Sequence, residues 1–181
     1  MGPPGVGKGT QAKIIKEKLG IIHLSTGEIL RREIANKTYI GGIAKKFIDQ
    51  GKLVPDNFLL DIISERIAKT DCTNGYLLDG FPRTIPQAIG LNTINKIHKN
   101  NLNAAINLTA NEDELIKRIL KRKKLDPCRS DDNLSIIKKR QQVYWKQTAP
   151  LIDFYIKMGI LKNVNGLGSI KDVTKLILEL I

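Results

Sequence analysis

The sequence predicts an α/β domain, a parallel β-sheet flanked by helices, and three observations carry that prediction. Short apolar runs at residues 21–24, 76–79, 103–109 and 161–164 read as buried strands. Longer amphipathic stretches alternate with them, the pattern of strand–helix–strand crossovers. The chain also opens on Gly2-Pro3-Pro4-Gly5-Val6-Gly7-Lys8-Gly9-Thr10, a glycine-rich loop ahead of a helix, with Gly2, Gly7 and Lys8 at the spacing of a phosphate-binding loop. At 181 residues and 41% hydrophobic content the chain suffices for one core and a single domain.

The loop needs glycine because side chains would block the approach of backbone N–H groups to an anion. Lys8 reaches the outer oxygens, and the helix that follows, ending near Gly20, sets its positive end beneath them. The usual pattern places Ser or Thr directly after the lysine; here Gly9 stands there and Thr10 follows. An ordinary glycine-rich turn is the competing reading, and Gly-Lys-Gly-Thr ahead of an amphipathic helix argues against it. Met1 immediately precedes the loop, whereas such a loop hangs between a buried central strand and its helix. The expectation is a sheet without that first strand. Five or six buried apolar residues contribute on the order of 1.5–3 kcal/mol each, which rivals the ~5–15 kcal/mol that stabilises a whole domain. The chain made as it stands is therefore expected to be unstable or poorly active.

Taken in order, Gly20 ends the first helix and residues 21–24 form a strand in which His23 reads as an ordinary strand-end residue. Ser25-Thr26-Gly27-Glu28 has capping-box spacing, with Arg31 about one turn into the helix. Plain capping explains it; a hydroxyl and an arginine at the carboxyl end of a strand can equally hold a nucleotide. Gly41-Gly42 separates this helix from a second, residues 43–50, closed by Gly51-Lys52-Leu53-Val54, and Pro55-Asp56 starts a third that runs to residue 68. Residues 25–54 thus read as a small helical flap hinged by glycines, and such flaps close over substrates.

Tyr76-Leu77-Leu78-Asp79-Gly80-Phe81-Pro82-Arg83-Thr84 is the second informative stretch. Asp79 ends an apolar strand, where a carboxylate can assist a magnesium ion bound to phosphates, and Arg83 adjoins it. Gln87 falls on the first turn of the next helix, where its amide suits a base edge, although a surface amide is the plainer reading. After the strand at 103–109, acidic residues 111–114 open a helix that carries Arg118 and Arg122 on one face. Both can point at one polyphosphate, or simply form a solvated basic turn. Residues 123–132, interrupted by Pro127, read as a loop; Asp132 or Asn133 caps the helix of Arg140, which Pro150 bends or restarts. A strand at 161–164, a turn at Asn165-Gly166 and a helix over 169–181 close the chain.

The net charge of +12 raises a nucleic-acid partner, but the lysines are scattered and aromatics make up only 5% of the chain. Solvated surface lysine is the better account, and no specific nucleic-acid partner is expected. Cys72 and Cys128 match neither a disulfide framework nor a metal spacing, which indicates a reducing compartment. No apolar run reaches membrane-spanning length and no secretory n- and h-regions precede the loop, so the expectation is a cytoplasmic protein without a membrane partner. Arginine stands at only eight positions, 31, 32, 66, 83, 118, 122, 129 and 140. A chain that supplies most of its positive charge as lysine should keep arginine where a planar five-donor fork grips phosphate. Those arginines should converge on the loop.

With these motifs in place, the chain resembles the adenylate kinases along essentially its whole length. Gly-Pro-Pro-Gly-Val-Gly-Lys-Gly-Thr looks like that family's own phosphate loop, which accounts for Gly9. Ser25-Thr26-Gly27 with Arg31, Gly51-Lys52-Leu53-Val54, and Asp79-Gly80-Phe81-Pro82-Arg83-Thr84 with Gln87 look like its AMP site. Arg118 and Arg122, Arg129 with Asp131-Asp132, and Arg140 look like its hinge and lid. The resemblance implies a sheet like that of P-loop NTPases, with a core of residues 1–24, 55–122 and 133–181, an AMP-binding flap at 25–54 and a short lid at 123–132. It implies that Gly5, Val6, Gly7, Lys8, Gly9 and Thr10 hold ATP together with Arg118 and Arg122, Gly168 bordering the base. Arg31 and Arg83 would hold the AMP phosphate, Thr26 and Gln87 would favour adenine, and Lys52, Leu53, Val54, Gly80, Phe81 and Pro82 would line the AMP pocket. Arg129 and Arg140 would close over the transferring group, touching AMP, and Asp79 would hold Mg²⁺ through water.

The implied reaction is the Mg²⁺-dependent, reversible conversion of ATP and AMP to two ADP, serving adenine nucleotide homeostasis, by a cytoplasmic monomer. An AMP phosphate oxygen attacks in line, so Lys8, Arg83, Arg118, Arg122, Arg129 and Arg140 act by positioning and charge neutralisation. The short lid lacks a four-cysteine pattern, and no structural zinc is expected. UMP/CMP kinases share the architecture and the short lid, but Thr26, Thr84 and Gln87 look like the adenine version. A nucleotide-binding module without turnover is the other alternative; the complete arginine set argues against it.

Overall fold

In the computed structural model, which describes residues 1–125 and 134–181, four short strands are laid between helices: β1 (Ile22–Ser25), β2 (Tyr76–Asp79), β3 (Ala105–Thr109) and β4 (Leu161–Asn165). All pairing is parallel, β1 with β2 from Ile22 opposite Tyr76 to Ser25 opposite Asp79, and β3 with β4 from Ala105 opposite Leu161 to Thr109 opposite Asn165. Among the described residues these are two separate two-stranded sheets. Met1 touches β3 at the inner edge of the second: its ammonium donates to the Ile106 carbonyl, and the Leu108 N–H donates to the Met1 carbonyl at 3.1 Å. The expected strand–helix alternation is present, with β2 and β3 in different sheets among the described residues.

Local chemistry sets the helix ends. The first helix, α1 (Lys8–Leu19), begins directly after Gly7 and ends at Gly20, whose φ of 65° is left-handed. Ser25 caps α2 (Thr26–Ala35), accepting the Glu28 N–H at 3.4 Å, and Thr38 caps α3 (Tyr39–Ile48), accepting the Gly41 N–H at 3.0 Å. Pro55 precedes α4 (Asp56–Ile67), and Thr84 caps α5 (Ile85–Ile97). Beyond β3 come α6 (Glu112–Leu125) and α7 (Leu134–Val143); a π-helical stretch, Tyr144–Thr148, then leads to α8 (Leu151–Lys157) behind Pro150, and Ser169 caps the last helix, α9 (Ile170–Leu178).

Two expectations are corrected. Gly41-Gly42 is not a break between helices but lies inside α3; the break falls at residues 36–38, where Lys37 has a φ of 54°. Glycine is required at 41 for packing: a Cβ there would overlap the Glu33 carbonyl of α2. The loop expected from residue 123 also starts later, because α6 continues to Leu125. The cap at Asp132 or Asn133, Cys128, and lid residues 126–132 lie outside the described residues.

The core follows the division of the sheet. One buried cluster joins Leu24, Leu30, Ala44, Leu59, Ile63 and Leu91, on the β1–β2 side. A second joins Val6 of the loop to Ile15, Leu108, Leu115, Val164 and Ile177, and a third joins Ala88, Ala105, Leu151 and Tyr155. Helix α1 packs on β1, β2 and α9, and α5 packs on α4 and α8, so these two helices tie the halves together.

Candidate active site

The loop from Gly2 to Gly7 is bent by glycines at positive φ, 127° at Gly2, 90° at Gly5 and 100° at Gly7. Each glycine has its own reason. A Cβ at Gly2 would overlap the Leu108 carbonyl, and one at Gly5 would come within 2.8 Å of Ile119 and of the Leu115 carbonyl, so the loop is pressed against β3 and α6. At Gly7 nothing lies within 4 Å: its glycine serves the backbone turn and leaves open space at the N-terminus of α1. Lys8 Nζ donates back to the Gly2 and Pro3 carbonyls at 2.7 and 3.0 Å, which holds the ammonium over the loop.

Asp79 ends β2 beneath this loop. Its Oδ2 would stand 3.4 Å from a Cβ at Gly9, so the carboxylate lies against the start of α1. The His23 imidazole Nε2, buried in β1, approaches the same oxygen at 3.4 Å. Burial alone raises the Asp79 pKa, but His23, then Lys8 and Arg83, outweigh it and hold the carboxyl below its ordinary value. Asp79 is therefore an anion at neutral pH, and His23, which the sequence reading set aside, stands beside it on the adjacent strand.

A second group of residues meets beside Gly80. The Thr26 hydroxyl donates to the Gly80 carbonyl at 2.9 Å, Arg83 Nε donates to the same oxygen at 2.7 Å, and the Arg31 guanidinium lies 3.3 Å from where a Cβ at Gly27 would be. Arg83 is fixed from its backbone as well: its N–H donates to Gln87 Oε1 at 2.7 Å and its carbonyl accepts from the Thr148 hydroxyl at 2.9 Å. Gln87 is fully buried, with its Nε2 donating to Asp56 Oδ1 at 2.7 Å, while the Thr84 hydroxyl donates to Asp56 Oδ2 at 3.0 Å. Asp56 and Thr148 are thus the residues that sequence reasoning missed as parts of the site. Asp56 carried only a helix-start signal, and Thr148, 65 positions from Arg83, carried none.

One cavity of about 1150 Å³ reaches both groups, while Gln87, Asp56 and Thr84 stand outside its lining. Lys8, Arg31, Arg83, Arg118 and Arg140 all line it, as do Asp79, Thr26, Gly168 and the stretches 51–54 and 80–82. Arg118 donates from Nε to Glu114 at 2.9 Å and from Nη1 to the Gly166 carbonyl at 2.8 Å, beside Val6 of the loop. Arg140 passes Gly51, where an added Cβ would be 3.4 Å from its Cγ. The side chain of Arg122 and all of Arg129 lie outside the described residues. Of the arginines never assigned to the site, Arg32 is exposed on α2 and Arg66 makes a two-point pair with Asp71 at 2.7 and 2.6 Å.

A family model described as adenylate kinase matches residues 1–160. The chain belongs to the adenylate kinase family. Named adenylate kinases give the same result over nearly the whole chain. One from Leptospira biflexa is 50% identical over 179 residues, 99% of this chain and 96% of the relative. One from Bartonella bacilliformis is 46% identical over 182 residues, 98% and 95% of the two chains. One from Methanothrix thermoacetophila is 42% identical over 198 aligned positions, 96% and 92%. Membership accounts for the glycine after the loop lysine, and for the convergence of arginines from four different helices and loops on one cavity. No helix among the described residues is long and apolar enough to cross a membrane.

Proposed function

We propose a residue-by-residue assignment for the reaction of an adenylate kinase, reversible phosphoryl transfer from ATP to AMP giving two ADP. The chain is an enzyme of that kind, an ATP:AMP phosphotransferase. What carries the assignment is the sharing of a single cavity by Lys8, Arg31, Arg83, Arg118 and Arg140. That much positive charge around one space suits a reaction whose transition state spreads negative charge over transferring phosphoryl oxygens.

The loop amides of residues 5–10 and Lys8 hold the ATP phosphates, with Arg118, Arg122 and Gly168 on the α6 side. Arg31 and Arg83, which line the same cavity, hold the AMP phosphate, and Thr26, Lys52, Leu53, Val54, Phe81, Pro82 and Gln87 form the rest of the AMP pocket. Gln87 also fixes the Arg83 backbone, so one amide links adenine choice to the arginine's position. Arg129 and Arg140 close from the lid side. An AMP oxygen held by Arg31 and Arg83 faces the γ-phosphoryl group held by Lys8, and the arginines exclude water as the flap of residues 25–54 and the lid come down.

The donor set fits magnesium bound to ATP. Asp79 is an anion beside the first turn of α1, with its Oδ2 close to Gly9. Mg²⁺ would supply charge neutralisation at the ATP phosphates, and Asp79 would hold it through water. No cluster of three or more His, Cys, Asp or Glu stands ready to ligate a metal directly among the described residues. The enzyme works as a cytoplasmic monomer without structural zinc and needs no nucleic acid or membrane.

The test is a coupled assay of ADP formation from ATP and Mg²⁺ with AMP, CMP or UMP as acceptor. AMP is expected to exceed both by orders of magnitude in kcat/KM. Comparable use of CMP would move the assignment to the UMP/CMP kinases, and ATP binding without transfer to any acceptor would leave a nucleotide-binding module.

A further inference from the structure

The run from α7 through the π-helical turn to α8 touches the site at three places. Arg140 lines the cavity from the last turn of α7. Gln141, buried beside it, donates from Nε2 to the Pro4 carbonyl of the phosphate loop at 3.4 Å. Thr148, at the end of the π turn, also lines the cavity and donates its hydroxyl to the Arg83 carbonyl at 2.9 Å. The run is firmly seated. Ile137, Tyr144, Leu151 and Tyr155 are buried at helical spacing, so these polar contacts are made from a packed support.

The π turn has a cause in the sequence. Pro150 has no N–H to offer the Lys146 carbonyl four residues back, and its ring crowds that carbonyl. The turn ahead of it opens, and the Ala149 N–H donates five residues back to the Tyr144 carbonyl at 2.9 Å. A threonine within a helix ordinarily turns its hydroxyl onto its own helix. Thr93 of α5 and Thr174 of α9 do so, donating to the carbonyls of Ile89 and Ile170 at 3.4 and 2.7 Å. Thr148 instead donates across to residue 83. The carbonyl it reaches lies just ahead of α5, where the bonds of the helix do not extend: Thr84 is the cap, and its own carbonyl accepts the Ala88 N–H.

We propose, on the assignment of Arg83 to the AMP phosphate, that Thr148 is a positioning residue for AMP. It ties the Arg83 loop to the helix run that carries Arg140, so that both arginines are held in one frame about the cavity. The Arg83 backbone is fixed from two elements, its N–H by Gln87 of α5 and its carbonyl by Thr148 of the π turn. Without the second bond the peptide after Arg83 is free to tilt, and a small tilt there grows along the side chain into a misplaced guanidinium. The phosphate loop is reached from this run by Gln141 and not by Thr148. Loss of the Thr148 hydroxyl therefore falls on AMP and spares ATP.

Thr148→Val keeps the shape of the side chain and removes the hydroxyl, and Thr148→Ser keeps the hydroxyl. In the coupled assay Thr148→Val should raise the KM for AMP about tenfold and leave that for ATP within about twofold, while Thr148→Ser restores the AMP value to within about threefold. Thr148→Ala, which adds no bulk, is measured in the same way if the valine chain does not fold. Arg83→Ala is made alone and together with Thr148→Val. Alone it should lower kcat/KM for AMP, and Thr148→Val on top of it should change that value by less than about twofold, because the hydroxyl acts through the guanidinium. Equal KM rises for both substrates, a serine chain as impaired as the valine chain, or full additivity with Arg83→Ala would each reduce Thr148 to a structural role and overturn the proposal. An unchanged KM for AMP in Thr148→Val would overturn it as well. Those outcomes leave the AMP assignment standing as long as Arg83→Ala impairs AMP use; if Arg83→Ala leaves kcat/KM for AMP intact, the assignment and the proposal fall together.

Discussion

Arg83 is held at three points before any substrate arrives: its Nε on Gly80, its N–H on Gln87, and its carbonyl under Thr148, with Gln87 and Thr84 in turn fixed by Asp56. A guanidinium so placed costs little reorganisation when charge develops opposite it. Arg83→Ala should lower turnover on the order of 10²–10³-fold while ATP affinity stays within a few fold, checked by the coupled assay beside an ATP titration. Asp56→Ala leaves the buried Gln87 amide without its acceptor. It should cost about 1–3 kcal/mol in urea unfolding and raise the KM for AMP more than that for ATP. A KM change equal for both substrates would mean that Asp56 serves only the fold. The phosphate loop and Arg83 were legible in the sequence because they sit in contiguous motifs. Asp56 was legible only as a helix start, because its partners at 84 and 87 lie about 30 residues away and no local pattern announces them.

At the scale of elements, α2 and α3 cross so closely that Gly41 touches the α2 backbone at Glu33, while its neighbour Gly42 faces open space. The two glycines therefore respond oppositely to a methyl group. Gly41→Ala should destabilise by about 1–3 kcal/mol through overpacking, and Gly42→Ala should stabilise by about 0.5–1 kcal/mol by relieving helix-interior backbone entropy. Thermal melts of the two variants check this; equal shifts would mean that the crossing is looser than described. Sequence reading took the pair for a hinge, because glycine marks both chain breaks and close helix contacts, and only the packed neighbour tells them apart. Elsewhere the cap at Ser25 and the stop at Gly20 behave as the sequence indicates, since their partners lie within four residues.

For the whole molecule the divided sheet dominates. Buried apolar side chains form separate clusters on the two sides, and α1 and α5 carry the connection between them. The buried Met1 ammonium adds a pH term. Its folded pKa of about 5 lies below the unfolded 8.0, so the unfolded chain binds more protons between these values and stability rises with pH across that window. Below pH 5 the full penalty applies, on the order of 4 kcal/mol; above pH 8 it is absent. Urea midpoints should therefore increase from pH 5.5 to 8, and acetylation of the Met1 nitrogen should remove most of that increase. An identical pH profile for the acetylated chain would show that other groups set it.

By itself the sequence determined the alternation of strands and helices, the phosphate loop, the Asp79–Arg83 stretch and the family to which they belong. These are short-range patterns, each written within ten or so residues, and the chemistry of phosphate restricts which residues serve. Tertiary structure alone decided that Arg31, Arg83, Arg118 and Arg140 share a cavity with Lys8, and that Asp56 and Thr148 brace the arginine loop. The shared cavity and the bracing of Arg83 depend on contacts between segments far apart in the chain, where the favourable arrangement is fixed by which buried surfaces and hydrogen-bonding groups meet and not by the order of residues in any one stretch.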